Sequence, residues 1–339
     1  AAGCHCGDRQ GACCPSLVRL QPRSRLDYCE VGLLLLYLGL WAFELWGHNH
    51  WMVAILICLP HTPSCLPLGL LSLVRLRTNP RRLHFLLLTW WVWLSATGCE
   101  WAWRWNPASQ TFRVASYNLQ GCPLGEEPVG QILQSLDADV YALQEVNAWT
   151  LKHQAFQAYA SARWYRAEDG EFAILSRFPI LSHELVRLGQ RSARPAQVVE
   201  IQLAPGKKLR LINVHLSLLI NGPEWLRANR QRLPVLVPES MAERNHQVEQ
   251  VLQRVEGPTL LVGDCNGQPR DSGVRKLAAR LTDSFQESGR GWGFTFESTM
   301  PVIRIDYLWH TPQLYSQSCW VAPGVASDHA AVAGDFVLR

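Results

Sequence analysis

A chain of 339 residues, 48% of them apolar, is long enough for one large domain or two modest ones with cores of their own. The formal charge of +4 belongs to the first third, where nine Arg face five Asp and Glu before residue 111, against 23 basic and 23 acidic residues from there on. A neutral C-terminal part argues against a strongly basic nucleic-acid-binding face, and eleven cysteines without a CxxC pair argue against a structural zinc site.

In chain order, residues 1–30 read as an N-terminal tail, expected to be disordered; Cys4, Cys6, Cys13 and Cys14 offer ligands for a metal, but a thiol-rich tail is the preferred reading. The chain does not begin with Met, as expected of a fragment or a truncated reading frame. Residues 31–99 read as a transmembrane region. Apolar runs cover 31–43, 51–60, 65–74 and 83–96, and only the last, extended to Gly98, has the look of a compact span of the ~20 residues a bilayer needs. His48, His50, Pro60, His61 and Pro63 punctuate the earlier runs. Arg9, Arg19, Arg23 and Arg25 precede the first run, and Arg75, Arg77, Arg81 and Arg82 precede the last. With both clusters in the cytoplasm the chain crosses an even number of times between them, most simply as two helices, and a third crossing carries the rest outside. Trp101, Trp103 and Trp105 would then form an outer aromatic belt. A buried hairpin in a soluble protein is the alternative, disfavoured by nine tryptophans between residues 41 and 105. A cleaved signal peptide is disfavoured because further apolar runs follow the first.

After a linker over 100–110, the periodicity changes. Residues 112–119, 140–143, 172–175, 198–203, 209–216, 260–262, 303–309 and 330–338 read as strands bounded by Gly, Pro, Asn or Asp, and 128–136 and 239–255 as helices. Short strands with few helices imply a layered α/β domain over 111–339.

Seven short motifs punctuate this domain: Ser116-Tyr117-Asn118, Leu143-Gln144-Glu145, Leu175-Ser176-Arg177, Asn213-Val214-His215, Gly263-Asp264-Cys265-Asn266, Arg304-Ile305-Asp306-Tyr307 and Ser327-Asp328-His329. In that order they resemble the signatures of the endonuclease/exonuclease/phosphatase superfamily, in its membrane-anchored bacterial branch. The resemblance spans about 229 residues and implies an α/β, four-layer α/β/β/α sandwich of the DNase I-like type, preceded here by the N-terminal helical region, with the site at one end of paired sheets. Cys265 departs from the family, which commonly has an aromatic or apolar residue there.

The residue types suit metal-assisted phosphoester hydrolysis. Glu145 as principal ligand, with Asn118 and Asp328, makes an incomplete oxygen shell for Mg²⁺, Mn²⁺ being an alternative. Asp264 is suited to orient or deprotonate the attacking water, and Asn266, on the same side of an extended segment, to donate to a phosphoryl oxygen. His215 adds a donor; His329 contacts the phosphoryl centre, with Asp306 fixing its tautomer. Alone, each carboxylate reads as a strand-end cap; together they read as a hydrolase that transfers the phosphoryl group directly to water. Between His215 and the second helix, 216–238 reads as a long loop, either a lid carrying Trp225, Leu226, Arg227, Arg230 and Arg232 towards an amphiphilic substrate or a solvated surface helix. The partners implied are a lipid bilayer and a phosphate-ester substrate such as a lipid headgroup. A nuclease acting on DNA or RNA is the second reading, disfavoured by charge; a binding module without turnover is the third. No protein partner is indicated.

Overall fold

Apolar side chains pointing to both faces of a strand require a layer on either side of the sheet, and the central strands of this domain are apolar on both. In β9 (Thr259–Asp264), Leu260 and Val262 enter one cluster and Leu261 another. The computed structural model describes residues 24–47, 50–60, 62–102, 111–147, 150–161, 163–189 and 194–339. The thiols of the N-terminal tail, His48, His61, Trp103 and Trp105 lie outside these residues.

In chain order the helices are α1 (Arg25–Gly47), α2 (Trp51–Cys58), α3 (Cys65–Thr78), α4 (Leu83–Ala96), α5 (Glu126–Leu136), α6 (Gly222–Ala228), α7 (Leu233–Leu252), α8 (Ser272–Ala278) and α9 (Ser284–Ser288). The strands are β1 (Glu100–Trp101), β2 (Phe112–Asn118), β3 (Val140–Gln144), β4 (Tyr165–Asp169), β5 (Phe172–Ser176), β6 (Ile180–Arg187), β7 (Pro195–Ala204), β8 (Lys207–His215), β9, β10 (Thr282–Asp283), β11 (Arg290–Gly291), β12 (Asp306–His310), β13 (Leu314–Val321) and β14 (Val332–Leu338). Two six-stranded mixed sheets run β10-β12-β9-β8-β7-β6 and β13-β14-β2-β3-β5-β4.

Val114, Val140 and Ile174 of one sheet meet Leu211, Leu260 and Leu308 of the other in a shared buried cluster. On the outer faces, Val129, Leu133 and Leu136 of α5 pack on Tyr117, Tyr141 and Leu143, while Val248 and Val251 of α7 with Val274 and Leu277 of α8 pack on Ile212, Val214 and Leu261. The layers are therefore α/β/β/α. Each buried leucine or valine in them is worth about 1.5–3 kcal/mol in apolar area alone.

Strands β4, β6 and β13 were not legible as strands. The burial pattern of β6 is almost wholly exposed and β13 interleaves polar residues with apolar ones, as edge strands do. The 216–238 segment is not a long loop: α6 and the first turns of α7 occupy most of it, each with Pro in its first turn, a position that needs no backbone donor. Trp225 and Leu226 are half-buried there, and Arg227, Arg230 and Arg232 are exposed.

The N-terminal block inverts the usual burial. Arg75 of α3 pairs with Asp27 and Glu30 of α1 in the interior, and Arg82 also pairs with Asp27. Trp90 and Trp93 donate their indole N–H to Ser72 and Ser64, 2.9 Å each. Outward, Leu35, Leu36, Leu66, Leu70, Leu73, Leu87 and Trp91 keep more than half their surface exposed. Among the described residues one helix segment, Arg25–Phe43, is long and apolar enough to cross a membrane. This corrects the expectation that the 83–98 run is the one of bilayer length: α4 has 14 residues, whereas α1 has 23 because it extends back through polar Asp27 and Glu30, which Arg75 neutralises. The linker expected over 100–110 is partly structured, since Glu100 and Trp101 pair with Gly291 and Arg290.

Candidate active site

Polar residues that close apolar strands gather at one end of the sandwich. In the parallel β2/β3 pair Asn118 stands opposite Gln144, which precedes Glu145. In the other sheet, His215, Asp264 and Asp306 occupy one row, paired across β8, β9 and β12. Gly263 makes this row possible: a Cβ there would meet the Val214 carbonyl oxygen at 2.1 Å. His329 arrives from the segment before β14, where the bridge between Phe296 and His329 and the Ser327 hydroxyl, bonded to the Asn118 carbonyl at 2.8 Å, hold it.

The contacts converge. Asn118 Nδ2 donates to Glu145 Oε1 at 3.0 Å and Asp264 Oδ2 at 3.2 Å. His215 Nε2 lies 3.6 Å from Glu145 Oε1 and 3.5 Å from Asp264 Oδ2. His329 Nδ1 bonds Asp306 Oδ2 at 2.9 Å, and its Nε2 faces Asp264 at 3.8 Å and Asp328 at 3.9 Å. All eight residues singled out in the sequence are thus within this cluster or bonded to it.

Three placements differ in detail from expectation. Asn118 faces the carboxylates with its amide nitrogen and gives Oδ1 to the Gln120 N–H at 3.0 Å, so in this geometry it holds carboxylates and ligates only after an amide flip. Asn266 is not on an extended segment: its φ is +48°. Its Nδ2 donates to the Leu216 carbonyl at 2.8 Å, and its N–H to Asp264 Oδ1 at 2.8 Å, a turn that fixes the carboxylate. Among the described residues, Asp264, Asp306 and His329 also bring ligand-type atoms within 4.8 Å of one another, a group the sequence did not single out as ligands beside Glu145, Asn118 and Asp328.

Electrostatics separates the roles. Burial works against charge on His329, but Asp306 and Asp264 outweigh it and push its pKa up to about 10, so the ring is an imidazolium with Nε2–H towards the centre. Burial pushes Asp264 up, and Asp306 beside it adds to this. Burial also raises Asp328, with Glu145 adding repulsion. Crowded carboxylates, together with Asp306 Oδ1, buried without a partner, fit a hard divalent cation. Glu145 at φ +51° presents its side chain from a left-handed backbone, strain of the kind that collects at functional sites.

Sequence reasoning missed Glu171, the first residue after the Gly170 turn between β4 and β5. Its Oε2 lies 3.0 Å from His215 Nδ1, and this bond holds its pKa down despite burial. The signal was an acidic residue at the mouth of a tight hairpin feeding a buried strand. Glu171→Gln is expected to lower kcat about tenfold to a hundredfold, the size of effect when a histidine loses its orienting carboxylate, with KM nearly unchanged in steady-state assays. A KM rise alone would place Glu171 on substrate instead.

The endonuclease/exonuclease/phosphatase family model matches residues 115–329. An endonuclease/exonuclease/phosphatase from Bacteroides vulgatus superposes with a TM-score of 0.54 at 18% identity, over 68% of this chain and 100% of that one. A mannosyl-6-phosphatase from Bacteroides thetaiotaomicron gives 0.53 at 18%, over 67% and 100%. A humanized D. rerio TDP2 gives 0.52 at 19%, over 67% and 99%. These likenesses concern the fold. Comparison with curated proteins returns no match.

Proposed function

Because the chain belongs to the endonuclease/exonuclease/phosphatase family, whose members hydrolyse phosphoesters, we propose that it is a membrane-anchored, divalent-metal-dependent hydrolase of a membrane-proximal phosphate ester. The observation that carries the hydrolytic reading is the convergence of Asp264, the His329–Asp306 pair, the His215–Glu171 pair, Glu145 and Asn118 at one strand-end row.

Glu145 and Asp328, with the Asn118 amide oxygen, would hold the cation, Mg²⁺ or Mn²⁺. When bound it neutralises charge on the phosphoryl oxygens. The chain's own residues do the rest. His329 Nε2–H donates to a non-bridging phosphoryl oxygen, and Asp306 keeps that proton on Nε2 by taking Nδ1–H. Asp264, raised by burial, accepts a proton from the attacking water. Asn266 fixes that carboxylate through its backbone N–H, and His215, held at Nδ1 by Glu171, turns Nε2 to the same space. Displacement is direct, without a covalent intermediate.

Three features support a substrate in or near a bilayer. The block's outward faces are leucine-rich. Loops flanking the site expose Leu124, Leu218, Met300 and Val325, while the exposed arginines of the 222–232 segment suit anionic headgroups. The basic ends of α1, α3 and α4 meet at Asp27, and the opposite end of α4 touches the catalytic domain. Because basic residues prefer the cytoplasm, this arrangement supports a reading in which that domain lies outside. Charge neutrality speaks against the nuclease reading.

The deciding assay gives the full chain, in vesicles with Mg²⁺, three probes: mixed phospholipids, a polyprenyl pyrophosphate and plasmid DNA. Lipid turnover lost with EDTA is expected; turnover of DNA alone makes it a nuclease, and inactivity on all three points to a binding module. Alkaline phosphatase fused after Arg339 is expected to be active.

A further inference from the structure

Helix ends leave carbonyls without partners, and in the N-terminal block two of them are met by the catalytic loop. At the end of α4, Trp93, Leu94 and Ser95 carbonyls accept from the N–H groups of Thr97, Cys99 and Gly98. The Ala96 carbonyl accepts instead from Arg270. At the end of α2, the Leu56 carbonyl accepts from Leu59 N–H, and the Ile57 carbonyl accepts from Gln268 Nε2. Gln268 and Arg270 are two and four residues beyond Asn266, on the loop that also carries Asp264. A cation at a helix C-terminus is favoured by the dipole as well as by the bond.

The loop needs support. Asn266 sits at φ +48°, a conformation that costs a non-glycine residue energy. From inside the domain, Arg244 holds the Asn266 carbonyl and the Tyr307 hydroxyl holds the Gly267 carbonyl at 2.9 Å. From outside, the helix ends reach it. The same junction is sealed by α2 against α7, where Ala54 packs with Val237 and Met241, and by Trp292, which donates to Thr97 at 3.1 Å and stacks edge-on with Trp93.

We propose that Gln268 and Arg270 are positioning residues that clamp the catalytic loop onto the ends of α2 and α4, so that the hydrophobic block sets the placement of Asp264 and Asn266 as well as anchoring the chain. The proposal rests on the hydrolase reading for its catalytic consequence, though not for the clamp itself. Neither side chain belongs to the cluster around His329; each acts through the loop.

The test compares full-length wild type with Gln268→Ala, Arg270→Ala, their double variant and Arg270→Lys in detergent. The activity probe is bis(p-nitrophenyl) phosphate with Mg²⁺, and amide hydrogen exchange is followed over 264–271. The double variant is expected to lose kcat about tenfold to a hundredfold, the cost of a misplaced catalytic group, with KM within about twofold. Exchange over 264–271 rises while that of 112–118 stays protected, and Arg270→Lys, which keeps a charged donor, stays within about threefold of wild type. Unchanged exchange in the double variant overturns the clamp, as does a KM rise with kcat intact, which would put these side chains on substrate. If wild type hydrolyses no phosphoester the functional reading fails, and the exchange data still decide the clamp.

Discussion

His329→Ala is expected to lower kcat/KM about a thousandfold, since it removes the imidazolium donor aimed at the phosphoryl centre, without unfolding the chain. The residue is a buried cation held by Asp306 at 2.9 Å, so its removal deletes a donor and leaves Asp306 and Asp264 without their counter-charge, and Tm should fall as well. Circular dichroism at low temperature should still show the folded chain, with a lowered Tm, while phosphoester turnover disappears. Asp306→Asn isolates the orienting role. His329 keeps Asp264 and Asp328 as neighbours, so the loss should be smaller, on the order of a hundredfold. In EDTA-treated protein the imidazole resonances of wild type should stay in the charged form through neutral pH, up to about 10, whereas Asp306→Asn should titrate closer to the ordinary 6.5. The sign is that of a raised histidine: its contribution to stability is complete below the unfolded value and is lost as pH rises through the folded one. Residual activity in His329→Ala within tenfold of wild type would remove the residue from the reaction.

Arg244→Ala should produce the largest loss of stability. Arg244 is 1% exposed and pairs with Asp271, 3% exposed, while its other amino group holds the Asn266 carbonyl. Truncation strands a buried carboxylate, which costs about 3–5 kcal/mol and should lower Tm by roughly 10 °C for a domain of this size. Activity should fall with it, because the Asn266 turn loses its inner support. Replacing both partners distinguishes the mechanisms. Arg244→Met with Asp271→Asn leaves no unpaired charge, and Asn can still cap α8 through the Gly273 N–H that Asp271 now serves. The double variant should regain more than half of the lost Tm but not the activity. Equal destabilisation of the single and double variants would show that packing, and not charge, is what Arg244 supplies.

The strands that end in Asn118, Glu145, His215, Asp264 and Asp306 were legible because a polar residue closing an apolar run breaks a period of two, and the pattern is local. The layer order was implied by the family resemblance, and the division at residue 111 followed from the change of periodicity. What pattern alone misjudged has physical causes. Edge strands β6 and β13 bury too little to show alternation. In 216–238, Pro223 and Pro234 sit in first helical turns, and Pro238 lies inside α7. Asp27 and Glu30 looked like the boundary of an apolar run, yet they lie inside α1 because Arg75, 48 and 45 residues away, neutralises them. The same reason hid Glu171 from the histidine it orients, 44 residues on, and hid Gln268 and Arg270 from the helix ends they cap, 211 and 174 residues back. By itself the sequence determined the central strands and, through the family resemblance they carry, the layers and the residues expected at the site, because short-range alternation and strand-end chemistry are written along the chain. Which donor meets which acceptor across the site, and how the hydrophobic block grips the catalytic loop, was decided only by tertiary packing, since hydrogen bonds and ion pairs depend on side chains brought within about 3 Å of one another by distant parts of the chain.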